Sequence, residues 1–72
     1  MISDKICIKI KLERQKRGLS QEDFAEKAGL SRNAIWKIET GQVSPTLETL
    51  EKIAAGLEME FLDLMDVSKV EL

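Results

Sequence analysis

Apolar residues recur along this chain at three- and four-residue spacing, and serine, threonine or glycine interrupts them at intervals. That spacing places the apolar residues on one side of a helix, and the interruptions are typical of helix caps. The pattern predicts an all-α fold. Five helices are expected, with approximate bounds 3–17, 20–28, 31–41, 46–57 and 59–66. In the fourth, Thr46 is the expected N-cap and Gly56 is expected to weaken the last turn. Its predicted apolar stripe consists of Leu47, Leu50, Ile53, Ala54 and Leu57.

The second and third predicted helices share one set of boundary signals. Each has a serine N-cap, a leucine before it, a large apolar residue four places after it, and a closing glycine. These residues are Leu19, Ser20, Phe24 and Gly29 for the second helix, and Leu30, Ser31, Ile35 and Gly41 for the third. Two short helices joined by a tight turn are typical of a helix-turn-helix.

Residues 21–40 carry the small and branched residues that such a unit requires. Ala25 allows the two helices to cross closely, Gly29 tolerates positive φ in the turn, and Ile35 packs the second helix of the unit onto the first. A helical hairpin with no role in nucleic-acid binding is the alternative interpretation.

From about Ile10 to Met65 the chain resembles the Cro/lambda-repressor-like (XRE-type) family of helix-turn-helix regulators. The landmarks are Arg14, Gly18-Leu19-Ser20-Gln21, Phe24-Ala25, Gly29-Leu30-Ser31, Ile35, Glu39, Gly41, Pro45, Leu50 and Ile53-Ala54. The resemblance implies a compact five-helix domain over residues 1–72 that binds operator DNA, commonly as a symmetric dimer. It also implies a salt bridge between Arg14 and Glu39.

Outward residues near the start of the third helix are the expected base contacts. With Ile35 and Ile38 inward, they are Arg32, Asn33, Trp36 and Lys37. The resemblance supports Arg32, Asn33 and Lys37. Trp36 has several alternative roles. It could contact a thymine methyl or the sugar–phosphate wall of the DNA, shield a neighbouring side chain, or be partly buried as an ordinary surface aromatic.

Phosphate contacts are expected where helix ends and polar side chains face the DNA backbone. The predicted set is Ser20, Gln21, Ser31, Thr40, Gln42 and Arg14. The resemblance also implies that Gln21 contacts the DNA backbone and braces the third helix, which is the recognition helix of the family. Ser31 can contact a phosphate through its hydroxyl, and its capping role is the alternative explanation for this serine.

One position departs from the family pattern. The family usually places leucine before the arginine of the first helix, and here that residue is Glu13. Ile8 and Leu12 carry the apolar character instead. We expect them to pack against the tail residues Val67, Val70 and Leu72, and a partner-facing surface is the alternative.

Charge is distributed unevenly along the chain, although the total is only −2. Residues 1–44 carry nine Lys or Arg against six Asp or Glu, whereas residues 45–72 carry two against seven. The first part is therefore basic and suits phosphates, while the second is acidic and suits solvent or a partner.

Several classes of function are disfavoured by what the sequence lacks. There is no histidine or tyrosine, one cysteine, no glycine-rich phosphate loop and no long apolar run. We therefore expect no catalysis, no metal or other cofactor, no membrane insertion and no small-molecule ligand. A lone thiol fits a reducing cytoplasm.

The predicted function is a sequence-specific transcriptional regulator that binds a palindromic operator as a homodimer. The fourth and fifth helices (46–66) are the expected dimer surface, through Leu57, Met59, Phe61, Leu62 and Met65. Controller-protein, phage-repressor and antitoxin types all fit. The alternative is an interaction module, such as an antitoxin subunit, whose DNA binding depends on a partner. A toxin or RNA polymerase is a possible protein partner.

Overall fold

Five helices form the fold in the computed structural model, which describes the backbone of residues 2–70 and the side chains of residues 4–70. They are α1 (Ile2–Lys16), α2 (Gln21–Ala28), α3 (Arg32–Glu39), α4 (Leu47–Gly56) and α5 (Phe61–Met65). No strand occurs in this described part of the chain. The predicted all-α class is therefore confirmed.

Hydroxyl side chains start the three middle helices, as the sequence predicted. Each hydroxyl oxygen accepts a hydrogen bond from a main-chain N–H three residues later, which satisfies a donor that the first helical turn leaves unpaired. The pairs are Ser20 with Asp23 at 3.0 Å, Ser31 with Ala34 at 3.0 Å and Thr46 with Thr49 at 3.1 Å. Gly29 closes α2 in the left-handed conformation, with φ of 71°.

Most predicted helix boundaries differ from the observed ones by one or two residues, and three of them have a clear structural reason. Helix α1 already includes Ile2, and α3 ends at Glu39 because Thr40 leaves helical geometry at φ −89° and ψ 0°. Helix α5 begins at Phe61 rather than Met59. Glu58 takes a left-handed φ of 56° after α4, and Glu60 is extended, so the chain regains helical geometry only at Phe61.

The core lies where α2 packs against α3 and α4, with α1 and α5 closing its other sides. The largest fully buried side chains of the core are those of Phe24, Ile10, Ile35, Ile53, Leu57 and Leu64. Leu47 was expected on the inward stripe of α4, but this is wrong because its side chain is 68% exposed. Leu47 opens α4, and the buried stripe starts one turn later at Leu50.

Gly56, the last residue of α4, lies directly against Ala28 of α2. A Cβ built on Gly56 would lie 3.0 Å from the N, Cα and Cβ atoms of Ala28. The sequence suggested that Gly56 only weakens the end of α4. Its missing side chain instead permits the close contact that holds α4 against the helix-turn-helix unit.

The carboxyl-terminal segment packs on α1, as expected for Val70, which is buried. Lys9 Nζ donates a hydrogen bond to the carbonyl oxygen of Asp66 at 3.0 Å and fixes the segment at that point. Leu12 remains half exposed beside Val70, so the tail covers it only partly. Leu72, also expected in this packing, lies outside the described residues.

Candidate nucleic-acid interface

Helix α3 presents one polar face to solvent because its two isoleucines are fixed in the core. Ile35 is 1% exposed and Ile38 is 3% exposed. The opposite face carries all four predicted base-contact residues, and each is exposed: Arg32, Asn33, Trp36 and Lys37. Three of them, Arg32, Asn33 and Trp36, line one open hollow on the surface.

The end of α3 is held by an ion pair with α1. The Arg14 guanidinium donates from Nε to Glu39 Oε2 at 2.7 Å and from Nη2 to Glu39 Oε1 at 3.0 Å. The Arg14 side chain is 11% exposed and that of Glu39 only 1%, so solvent screens the pair weakly. The salt bridge that the family resemblance implied is thus present.

Two further hydrogen bonds extend this pair to the start of α2. Arg14 Nη1 donates to the carbonyl oxygen of Leu19 at 2.8 Å, and Gln21 Nε2 donates to Glu39 Oε1 at 3.2 Å. Sequence reasoning did not predict the Leu19 contact. The Gln21–Glu39 contact is how Gln21 reaches the recognition helix. Glu39 therefore connects α3 to both α1 and α2, and these contacts help to set the angle of α3.

These contacts change the role assigned to Arg14. The sequence proposed it both as a salt-bridge residue and as a phosphate contact. Its guanidinium makes three hydrogen bonds inside the protein and its side chain is almost covered. We therefore leave Arg14 out of the DNA-contacting set and keep its structural role.

The remaining predicted phosphate contacts differ in their free donors. Ser20 and Ser31 use their oxygens to accept hydrogen bonds, so each keeps its O–H as a donor for a phosphate. Thr40 is different because its O–H donates to the carbonyl oxygen of Trp36 at 2.7 Å. Gln42 Nε2 donates to Thr40 Oγ1 at 3.1 Å, which leaves one N–H of its side-chain amide.

Glu13, the departure from the family pattern, has local partners that explain its presence. Its Oε1 lies 2.6 Å from Arg17 Nη1, and this hydrogen bond lowers the pKa of the Glu13 carboxyl below its ordinary value, although partial burial opposes the change. Arg17 Nε also donates to the carbonyl oxygen of Leu57 at 2.8 Å. Position 13 therefore supports an arginine that joins α1 to the end of α4.

The expected dimer residues are exposed to very different extents. Leu62 on α5 is 80% exposed, while Met59, Phe61 and Met65 are partly covered. Leu57 was expected to face a partner, but this is wrong because it is completely buried in the core. It follows α4 directly and packs inward, so it is inaccessible to a second molecule.

Among residues 4–70, no three or more His, Cys, Asp or Glu side chains are placed so that they could hold a metal ion together. No helix in the same part of the chain combines the length and the apolar character needed to cross a membrane.

Fold and site together define a helix-turn-helix protein: two short capped helices joined at Gly29, the second with an exposed polar face and a braced end. Comparison with known proteins agrees. The chain belongs to the helix-turn-helix family, whose model matches residues 10–64.

Similar proteins include regulators and controller proteins. The HTH-type transcriptional regulator SutR of Escherichia coli (strain K12) is 44% identical over 52 residues, covering 72% of this chain and 29% of SutR. Control protein C.MunI of Mycoplasma sp is 42% identical over 60 residues, covering 82% and 81% of the two chains. The wild-type restriction-modification controller protein C.Esp1396I superposes with a TM-score of 0.83 at 34% identity, over 90% of this chain and 88% of that one.

This chain covers different fractions of the lengths of its relatives. It spans less than two fifths of some regulators, namely 29% of SutR and 38% of SlrR of Bacillus subtilis (strain 168). It spans most of the controller proteins named above.

Proposed function

We propose that this protein is a sequence-specific DNA-binding transcriptional regulator. The observation that carries the proposal is the exposed face of α3, where a guanidinium, a carboxamide and an ammonium group stand within two helical turns. The Arg32 guanidinium can donate two hydrogen bonds to guanine O6 and N7, and the Asn33 carboxamide can form two hydrogen bonds with adenine N6 and N7. Lys37 adds positive charge farther along the same face.

Charge and helix ends support the same function. The first 44 residues carry a net charge of +3, on the part of the chain that includes α2 and α3. Ser20 and Ser31 cap the starts of these helices and keep hydroxyl donors for phosphates. We therefore propose backbone contacts from Ser20, Ser31, Gln21 and Gln42, with Thr40 contributing only after its internal bond to Trp36 breaks.

Selection of bound fragments from genomic DNA tests this function directly. The purified chain at near-physiological salt should enrich one motif, with an affinity that falls steeply as salt rises. Arg32→Ala should relax the preference for one base pair, with a loss of about 1–3 kcal/mol. Lys52→Ala, at an exposed position of α4, removes one positive charge elsewhere and is the matched control. Equal affinity of the purified chain for the motif and random DNA at every salt concentration would reject the function.

We further propose that the regulator is a homodimer that uses α5 and the residues around it. Leu62 is the most exposed large apolar side chain among the described residues. Met59, Phe61 and Met65 are partly covered and lie on or near the same helix. A palindromic operator would then place two α3 helices about 34 Å apart in successive major grooves.

Sedimentation equilibrium of two leucine variants tests the dimer. Leu62→Glu should give a folded monomer because it introduces charges into the apolar contact. Leu47→Glu is the matched control, since Leu47 is similarly exposed at 68% but lies at the start of α4. A Leu62→Glu protein with the wild-type mass in solution would exclude this surface.

A second candidate function is an interaction module whose DNA binding depends on a protein partner, as in an antitoxin. The acidic net charge of −5 over residues 45–72 and the exposed Leu62 favour it. Under this alternative the purified chain is a monomer with little DNA affinity until the partner is added. The similarity to C.MunI, which covers 82% of this chain and 81% of C.MunI, favours the controller type of regulator instead.

The same features favour binding over catalysis. The proposed contacts are hydrogen-bond donors and an indole, and the chain has no histidine to act as a general base near neutral pH. We place the protein in the cytoplasm, where DNA is available and the Cys7 thiol stays reduced.

A further inference from the structure

Trp36 is the one large apolar side chain on the otherwise polar face of α3. It is 44% exposed, although its neighbours Ile35 and Ile38 are buried. These two isoleucines fix the rotation of α3, so Trp36 remains outside. The carbonyl oxygen of Trp36 also accepts hydrogen bonds from the Thr40 hydroxyl at 2.7 Å and from the Thr40 N–H at 3.0 Å. Its main chain is therefore held firmly.

The indole shares its hollow with two polar side chains that have different binding chemistry. Arg32 and Asn33 line the same hollow. Their donors and acceptors suit purine edges, whereas an indole has one N–H donor and a wide apolar surface. The apolar group that base edges present in the major groove is the C5-methyl of thymine. Four residues of helix, a rise of about 6 Å, separate Arg32 from Trp36, which is less than two base-pair steps of about 3.4 Å each.

We propose that Trp36 covers a thymine C5-methyl group within two base pairs of the guanine read by Arg32. Thymine and uracil present the same hydrogen-bond donors and acceptors and differ only in this methyl group. Contact with the methyl therefore lets the protein prefer thymine, which hydrogen bonds alone could not achieve. This inference rests on the proposed DNA-binding function and names a specificity-determining residue for it.

Replacing thymine by deoxyuracil tests the proposal because it removes only the methyl group. The probe is the duplex obtained from genomic selection, with each thymine of one half-site replaced in turn. We expect one replacement to weaken binding by the wild-type protein about fourfold, the factor for removing one methyl-sized group from an apolar contact. The other replacements should have little effect.

Two variants separate Trp36 from the other side chains. Trp36→Ala should bind the thymine and deoxyuracil duplexes equally, because the covering surface is gone. Lys37→Ala is the matched control on the same face, and it should bind both duplexes more weakly while keeping the fourfold preference. Circular dichroism and urea unfolding of each variant establish that the fold is retained.

Three results would overturn the inference. Equal binding of wild-type protein to all thymine and deoxyuracil duplexes would place the indole against something other than a methyl group. A preference retained by Trp36→Ala would assign the methyl to another residue. Both of these leave the proposed function intact, whereas failure of the genomic selection to enrich any motif would reject the function and the inference together.

Discussion

Glu39 accepts two hydrogen bonds from the Arg14 guanidinium although the two residues are 25 positions apart in the chain. The pair ties the last residue of α3 to the end of α1, and Gln21 adds a contact from the first residue of α2. The direction of α3 is therefore set by side-chain hydrogen bonds as well as by the isoleucines beneath it.

Glu39→Ala should destabilise the protein by about 2–4 kcal/mol, because it leaves a nearly covered guanidinium without its carboxylate. Urea unfolding followed by circular dichroism measures the change. Glu26→Ala, at an exposed position of α2, is the control and should stay within about 0.5 kcal/mol of wild type. Similar losses in both variants would mean that the Arg14–Glu39 pair contributes no more to stability than an ordinary surface carboxylate does.

Gly56→Ala should lower the free energy of unfolding, although alanine is the better helix former. Helix propensity alone favours alanine by about 1 kcal/mol. The new Cβ would lie 3.0 Å from main-chain atoms of Ala28, and relieving that overlap costs about 1–3 kcal/mol. Thermal unfolding decides between the two effects, with exposed Ala55→Gly measuring propensity alone. A more stable Gly56→Ala protein would show that α2 and α4 separate easily.

Glu13→Gln should reduce the pH dependence of stability in acid. The pKa of Glu13 is lowered in the folded protein from an ordinary value of 4.5, chiefly by the hydrogen bond from Arg17. Its stabilisation is therefore fully present above that ordinary value and is lost as pH falls through the lowered pKa. Urea unfolding from about pH 7 to about pH 3 should show the wild-type and Glu13→Gln curves converging. Glu22→Gln, exposed on α2, is the control; parallel curves for wild type and Glu13→Gln would contradict the assignment.

The Cys7 thiol should react slowly with thiol reagents in the folded protein. Its side chain is buried, and burial raises the pKa of the thiol, with a further increase from the nearby Asp4 charge. Both effects lower the exposed thiolate population. Even an opening that costs only about 1.4 kcal/mol slows modification about tenfold relative to the urea-unfolded chain. Equal rates in the folded and unfolded chains would place Cys7 at the surface.

The parts of the fold that the sequence predicted well depend on local chemistry. Ser20, Ser31 and Thr46 act within a single helical turn, so their identity and spacing were enough to locate three helix starts. The outward face of α3 also followed, because burying Ile35 and Ile38 leaves only one orientation for the helix.

The features that the sequence missed depend on contacts between distant segments. Leu47 and Leu57 fit one apolar stripe, yet only the packing of α4 decides that the first is exposed and the second buried. Likewise, the sequence shows Gly56 only as a residue of low helix propensity, because its contact with Ala28 depends on how α2 and α4 pack. Arg14 matched both a phosphate contact and a salt bridge, and only the position of Glu39 distinguishes these roles.

The eight-residue length of α3 has a consequence for how the protein persists in the cell. A helix this short is not stable alone in water, so its exposed polar face is formed only while the whole domain is folded. A ligand held by α3 therefore binds the folded chain and not the unfolded one. Such binding raises the melting temperature as ligand concentration rises and shields the chain from proteases, so occupied molecules should outlive free ones.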